Sequence, residues 1–311
     1  MLSNEKGTIV VTTGEEWTDI DAFASAVAYT ELLNLRGNHA VTVIPGPTNA
    51  TVPKHYRALA TIETQAPETY SDVVIVDLSN PEYFAKFAQT DNVKEIFDHH
   101  TGFEKFWREK LGESAHIEMI GACATLIWEE IERAGMIDRI SKNTAKLIAA
   151  AIASNTLNFQ IAITSPRDIS AFKTSARISG FDEATQADYF TACESEIVKD
   201  VSKALHYDTK LIHTSTITTP IAIGQIELWH SEPIVRSNTK EIQTELSQHS
   251  SSWLLNAPSI GDGYTILYCI NENLRQMIAD VIPVTWTGDF GKTERIMLRK
   301  EIVKALQTHF V

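Results

Sequence analysis

Apolar residues recur along this chain in two rhythms. Short runs rich in β-branched residues, Thr8-Ile9-Val10-Val11-Thr12, residues 40–44 and Asp72-Val73-Val74-Ile75-Val76, read as buried strands. Between them, Ala24, Val27, Ala28, Leu32 and Leu35 mark one face of a helix that Gly37 stops. A short helix is expected within residues 52–62, and another opening at Asn80-Pro81-Glu82. A further strand runs into Glu95-Ile96-Phe97-Asp98-His99-His100-Thr101-Gly102, and residues 116–120 add one more. Residues 123–136 and the alanine-rich 141–154 read as helices, the latter ending at Asn155-Thr156-Leu157-Asn158-Phe159. Ser165-Pro166-Arg167-Asp168 starts a helix that runs to about Gly180. The β-α alternation predicts an α/β fold: a mostly parallel sheet with helices on both faces.

From 182 to 205 the pattern turns polar and helical, which suits a connection between domains. Beyond it, residues 211–228 alternate β-branched positions and read as a hairpin. A helix follows at about 238–249, strands at 264–270 and 281–286, and a last helix at 299–308. This gives a smaller C-terminal α/β domain. The expected division is 1–190 for the first domain, 191–207 for a helical linker and 208–311 for the second domain.

Each apolar run of the first domain closes on charge. Asp19 and Asp21 follow the first strand, Asp77 ends the run at 72–76, and Asp98, His99 and His100 end the next. A carboxylate at a helix start also serves as a plain N-cap, so no one of them is decisive. Three strands that deliver acids to one sheet edge point instead to a convergent site.

Composition narrows the picture. A chain of 311 residues, 43% of them hydrophobic, is long enough for two domains. A net charge of −13 argues against nucleic acid or an anionic membrane as partner. Three cysteines, Cys123, Cys193 and Cys269, are too few and too scattered for a disulfide framework or a paired thiolate zinc motif. The opening residues carry no signal-peptide pattern, and no apolar run approaches the roughly 20 residues that span a bilayer, so a cytoplasmic protein is expected.

Carboxylates with one or two imidazoles suit hard-to-borderline divalent ions, Mn²⁺, Mg²⁺ or Co²⁺. A D-x-D turn lets two acids face two neighbouring ions, with Asp77 between them. Two such ions activate water and stabilise an in-line phosphoryl displacement. Positive charge for a phosphate is offered in the second domain by Lys210, Arg295, Arg299 and Lys300, although such residues are also ordinary solvated surface.

The segments TDIDAFASAVAY, IVDLSN, FDHHTG, GACATLIWE and IASNTLNF, in this order, resemble the DHH phosphoesterase superfamily. YDTK, IAIGQIE and LRKEI resemble the small C-terminal domain of its manganese-dependent inorganic pyrophosphatase and exopolyphosphatase branch. The resemblance implies two divalent ions, with Asp19 on one, Asp21 on the other, Asp77 bridging and His99 completing the second site. It implies that Asp98 orients the histidines, and that His100, Lys210, Arg299 and Lys300 contact phosphate. No glycine-rich GGGH-like segment, as in the oligonucleotide-degrading branch, is present.

Two positions depart from the pattern. Glu15 stands where bacterial pyrophosphatases carry a metal-binding His, and Asn155 stands where the family has a metal-ligand Asp. One reading is that negative charge has moved from position 155 to Glu15. The other is a homologue that binds metal or a phosphorylated ligand without efficient turnover. The implied function is hydrolysis of phosphoanhydride bonds in pyrophosphate or short polyphosphate, Mn²⁺ being the favoured ion. Monomer and homodimer both stay open.

Overall fold

The computed structural model describes residues 7–213 and 219–310. Residues 1–6, the start of the opening segment, and 214–218, within the expected hairpin, lie outside the described residues. The chain divides into two units, Met1–Gln186 and Ala187–Val311.

The first unit is built in chain order from β1 (Thr8–Thr12), α1 (Ile20–Leu35), β2 (His39–Val43), α2 (Lys54–Arg57), β3 (Asp72–Val76), β4 (Val93–Asp98), α3 (Glu104–Leu111), β5 (Ala115–Ile117), α4 (Cys123–Arg133), α5 (Lys142–Asn155) and α6 (Pro166–Ser179). Its five strands lie in the order β2-β1-β3-β4-β5, every neighbouring pair parallel. Side chains alternate across the sheet. Val10, Val73, Ile75 and Ile96 therefore share one face with the fully buried Trp107 of α3. Phe97, one residue on, turns to the other face and packs on Tyr29 of α1 with ring centroids 4.8 Å apart. Helices on both faces force the strands to be apolar on both sides, which is why β3 is buried along its whole length.

The turn at Asn80-Pro81-Glu82 does not open a full helix. Asn80 caps and Pro81 leads, but only a single 3₁₀ turn, Pro81–Tyr83, forms. Phe84 then goes extended and bridges Gly14, while Ser79 offers its carbonyl to the Trp107 indole at 2.7 Å. Tertiary pairing outweighs a good local start signal here.

The second unit carries most of α7 (Glu183–Val198), then α8 (Val201–Tyr207), β6 (Thr209–Ile212), β7 (Ile221–Gln225), α9 (Ser231–Ser237), α10 (Thr239–His249), β8 (Ser252–Ser259), β9 (Tyr264–Tyr268), α11 (Glu272–Val281), β10 (Thr285–Thr287), β11 (Phe290–Lys292) and α12 (Arg299–Phe310). Its sheet has the order β10-β11-β9-β8-β7-β6 and is mixed, with β7 and β8 parallel and the other pairs antiparallel. Three differences from the sequence reading stand out. Residues 191–207 are not a separate linker: Ser202 of α8 bonds through its amide to Glu241 and through its hydroxyl to Glu245. The central strand β8 went unread because SWLLNAPS carries Asn256 and Pro258, turn-forming residues in isolation. All eight of its residues are buried, and the Asn256 amide is satisfied by Gln225 and the Met297 carbonyl. Finally, 272–281 is helical, so the strand expected from 281 starts only at Thr285.

Candidate metal centre

The C-terminal ends of β1, β3 and β4 feed the acids to one edge. Asp19 is the N-cap of α1 and accepts the Ala22 amide at 2.9 Å. Asp21, two residues on, is fully buried beneath the first turn. Its carboxylate accepts the amides of Cys123 at 2.8 Å and Ala124 at 2.7 Å, the first two of α4, where the helix dipole favours an anion. Burial nevertheless pushes Asp21 up to about 6, with His99 and those amides opposing and Asp19 reinforcing the shift.

Asp77 is the centre of the cluster. Its backbone lies in the left-handed region at φ 57°, rare for a residue with a side chain, while its amide donates to Phe97 at 2.8 Å. Its Oδ1 is buried without a hydrogen-bond partner among the described residues and sits 3.3 Å from His99 Nε2. Burial raises its pKa well above the carboxylate range, and Asp21, Asp19 and Asp98 raise it further.

His99 and His100 are held by different groups. A carbonyl only accepts, so the 2.9 Å contact of His99 Nδ1 with Ile120 O puts the proton on Nδ1. That leaves Nε2 directed at Asp77 and, at 3.8 Å, at Asp21. His100 instead binds Asp98 Oδ1, through its amide at 3.1 Å and through Nδ1 at 2.8 Å. Asp98 thus orients one histidine, and the neighbouring strand's exit orients the other. Its hydrogen bond raises the His100 pKa above the ordinary value and favours the imidazolium. With a side chain 63% exposed, His100 is the member open to solvent.

These donors fit a divalent cation. Asp77 Oδ1 is an orphaned buried acceptor, His99 Nε2 faces it, and Asp77, His99 and His100 place ligand atoms within 4.8 Å of one another. Carboxylates with imidazole match a hard-to-borderline ion.

Asn155, the last residue of α5, donates its side-chain amide to Asp21 Oδ2. It is held there by an unusual helix exit, since Leu157, Asn158 and Phe159 are all left-handed. Single non-glycine residues visit that region at a cost of roughly 1–2 kcal/mol each, and three in succession are uncommon. Glu15 is exposed on the turn after β1; among the described residues it makes no side-chain hydrogen bond or ion pair. Glu15 therefore brings no charge to the centre through any contact among the described residues, and Asp21 accepts an uncharged amide donor from Asn155.

Residues 8–152, which hold all of these side chains but Asn155, match the DHH family, N-terminal domain. That stretch, somewhat under half of the chain, is similar to the DHH family. Over 231 residues it is 29% identical to a Clostridium acetobutylicum protein assigned as a manganese-dependent inorganic pyrophosphatase, covering 68% of this chain and 70% of that one. It is also 29% identical over 174 residues to the manganese-dependent inorganic pyrophosphatase of Bacillus subtilis, over 54% of this chain and 55% of the other. In fold it resembles a Methanococcus jannaschii protein assigned to the family II inorganic pyrophosphatases, with a TM-score of 0.65 at 20% identity, 97% of this chain and 99% of the other being covered.

Within the first unit, several groups that shape the centre escape a sequence reading. The Ile120 carbonyl and the amides of Cys123 and Ala124 belong to the small-residue turn Gly121-Ala122, the only local signal of a close approach. Asp168 anchors that turn. It is fully buried and accepts from Gly121 N at 3.1 Å, Thr125 Oγ1 at 2.6 Å, Ser165 Oγ at 2.7 Å and Ser165 N at 2.8 Å. A Cβ at Gly121 would lie 2.7 Å from Asp168 Oδ2, so only glycine allows the approach. Asp168→Ala leaves several buried donors unsatisfied, and it is expected to destabilise the protein by about 3 kcal/mol or more. Urea unfolding monitored by fluorescence checks this, and an unchanged midpoint would remove Asp168 from its anchoring role.

In the second unit, Arg299 starts α12 and is buried. Its guanidinium pairs with the Asp208 carboxylate at 2.5 Å and donates to the Asp208 carbonyl. Burial holds the Asp208 carboxyl above its usual range, although Arg299 and Lys210 pull it down. Lys210 on β6 and Lys300 beside Arg299 are exposed. Arg299 and Lys210 thus share Asp208 as a charge partner, while Lys300 forms no ion pair among the described residues.

Proposed function

We propose that this protein hydrolyses phosphoanhydride bonds in pyrophosphate or short polyphosphate with the help of divalent cations, Mn²⁺ first among them. The observation that carries the reading is the orphaned Asp77 Oδ1 facing His99 Nε2 at the edge of a parallel sheet. The names of the relatives support it. Asp21, Asp77 and His99 would hold one cation, with Asn155 at its margin, and Asp19 with Asp77 a second. A bound cation supplies positive charge that acidifies water and offsets charge on phosphoryl oxygens.

The chain's own groups do the remaining work. Asp98 keeps His100 in a defined ring orientation and favours its charged form, which suits contact with a phosphoryl oxygen. The Ile120 carbonyl fixes the His99 tautomer. Lys210, Arg299 and Lys300 are assigned to substrate phosphate. Among the described residues no helix is long and apolar enough to cross a membrane. The reading is completed by a cytoplasmic setting, a small phosphate-containing substrate, no nucleic-acid or membrane partner, and either a monomer or a homodimer.

One observation favours a second reading. The Asn155 amide already occupies Asp21 Oδ2 with an uncharged donor where a carboxylate would add a ligand, as expected of a homologue that binds without efficient turnover. Phosphate release from pyrophosphate, tripolyphosphate and a short oligonucleotide, with Mn²⁺ or Mg²⁺, separates the two. Release from the first two and not the third is expected. Release from none of them would leave the binding reading in place.

A further inference from the structure

Far along the sequence from the acidic centre, on helices of the second unit, three other groups converge. His206 lies in the last turn of α8, while Glu245 and His249 lie one turn apart on α10. Both rings point at the same oxygen: His206 Nδ1 is 3.1 Å and His249 Nε2 3.3 Å from Glu245 Oε1. The other carboxylate oxygen is taken by the Ser202 hydroxyl at 2.5 Å. Glu245 is itself nearly buried, at 5% exposure.

We propose that His206, Glu245 and His249 form a second divalent-cation site, of the zinc class, which clamps α8 to α10. Nothing in the hydrolytic reading assigns these residues a role.

Geometry is the first support. All three ligand atoms lie within 4.8 Å of one another. Four ligands at about 2.0–2.1 Å around a tetrahedral ion are separated by edges of about 3.3 Å. The two nitrogen-to-oxygen distances already match such edges. The site is also preorganised. Leu205 of α8 and Leu246 of α10, each next in sequence to a ligand, are both buried against Gly224 of β7, where a Cβ would lie 2.7 Å from Leu246 and 3.0 Å from Leu205. That close approach fixes the spacing of the two helices. Ser202 acts on Glu245 as an outer hydrogen-bond partner acts on a metal-ligating carboxylate.

The donor set decides the class of ion. Two imidazoles with one carboxylate suit Zn²⁺, Co²⁺ or Ni²⁺ and not Mg²⁺ or Ca²⁺, which ask for oxygen. It differs in this from the mainly carboxylate set around Asp77. The His206 side chain is 58% exposed, which leaves room for a water as fourth ligand. Two imidazoles aimed at one carboxylate oxygen also make an ion-paired triad, so the experiment must distinguish a metal from hydrogen bonds alone.

Zinc binding is measured by equilibrium dialysis and by thermal unfolding on the full chain carrying Asp77→Asn, which weakens the acidic centre. The same measurements follow on that chain with His206→Gln and His249→Gln added. Glutamine keeps a polar side chain at each position without an imidazole. The first chain is expected to bind one more Zn²⁺ than the second and to show the larger rise in melting temperature with zinc. Ser202→Ala should weaken that extra binding by about 10-fold. In the wild-type background the two glutamine replacements should lower the bound zinc by one equivalent and leave Mn²⁺ binding unchanged. Equal zinc stoichiometry with and without the two histidines, in either background, would overturn the proposal. So would the absence of zinc binding in the Asp77→Asn chain.

Discussion

Asp77→Asn is expected to lower Mn²⁺-supported phosphate release from pyrophosphate by about 10²–10³-fold or more, the scale on which one preorganised electrostatic group acts. Asparagine preserves the shape and tolerates the left-handed backbone at φ 57° better than most residues. What it removes is the charge nearest to His99 Nε2. Loss of an outer hydrogen-bond partner already costs 10- to 100-fold in metal affinity, so loss of this acid should weaken Mn²⁺ binding by more than about 100-fold. The metal-free protein should respond in the opposite sense. Asp77 is buried beside Asp21, Asp19 and Asp98, all of which disfavour its ionised form. An asparagine needs no proton taken up on folding to stay neutral there, so the replacement removes that cost without changing volume and raises the melting temperature in EDTA. A chain whose activity, Mn²⁺ affinity and metal-free stability were all unmoved would have its working site elsewhere.

The second large effect is expected from Asn155→Asp. In the present chain the Asn155 amide donates to Asp21 Oδ2, next to the two α4 amides that also hold that carboxylate. An aspartate would exchange a donor for a like charge at the same place. Without metal, unfolding in urea should therefore come earlier, by about 1–3 kcal/mol for the lost buried partner alone. With metal the sign reverses. A further carboxylate increases the affinity for Mn²⁺, and a ligand present at 100 times its dissociation constant restores about 2.7 kcal/mol. The variant should thus be less stable than the parent in EDTA and recover much of that difference in Mn²⁺. A gain in pyrophosphate turnover alongside would mark Asn155 as the residue that limits the parent. Identical stability in EDTA and identical Mn²⁺ affinity would mean that the amide-to-Asp21 contact has no energetic consequence.

Much of the architecture was legible in the chain. Continuous β-branched runs at 8–12 and 72–76, each followed by an acid, specify a parallel sheet with its chemistry at one edge, and β1, β3 and β4 deliver Asp19, Asp21, Asp77 and Asp98 there. The capping box at Ser165 and Asp168 and the left-handed Gly180 mark the two ends of α6 where local signals placed them. These are interactions between residues a few positions apart, so the order of residues alone carries them.

What failed, or could not be read, depended on partners distant in sequence. The turn after Asn80 lost its helix to a bridge with Gly14, and β8 became a central strand in which the Asn256 amide nitrogen donates to Gln225 and to the Met297 carbonyl. Asp98 and His99 are adjacent, yet their duties are assigned from elsewhere: His99 takes its tautomer from Ile120, whereas Asp98 turns to His100. Asp21 meets Asn155 across 134 positions and Cys123 across 102. The sequence by itself determined which acids and imidazoles stand at strand ends, because strand period and helix caps are local. Only the tertiary structure decided which of them are hydrogen-bonded, buried or left unpartnered, because those states are set by backbone groups and side chains that only folding brings within 3 Å or so of one another.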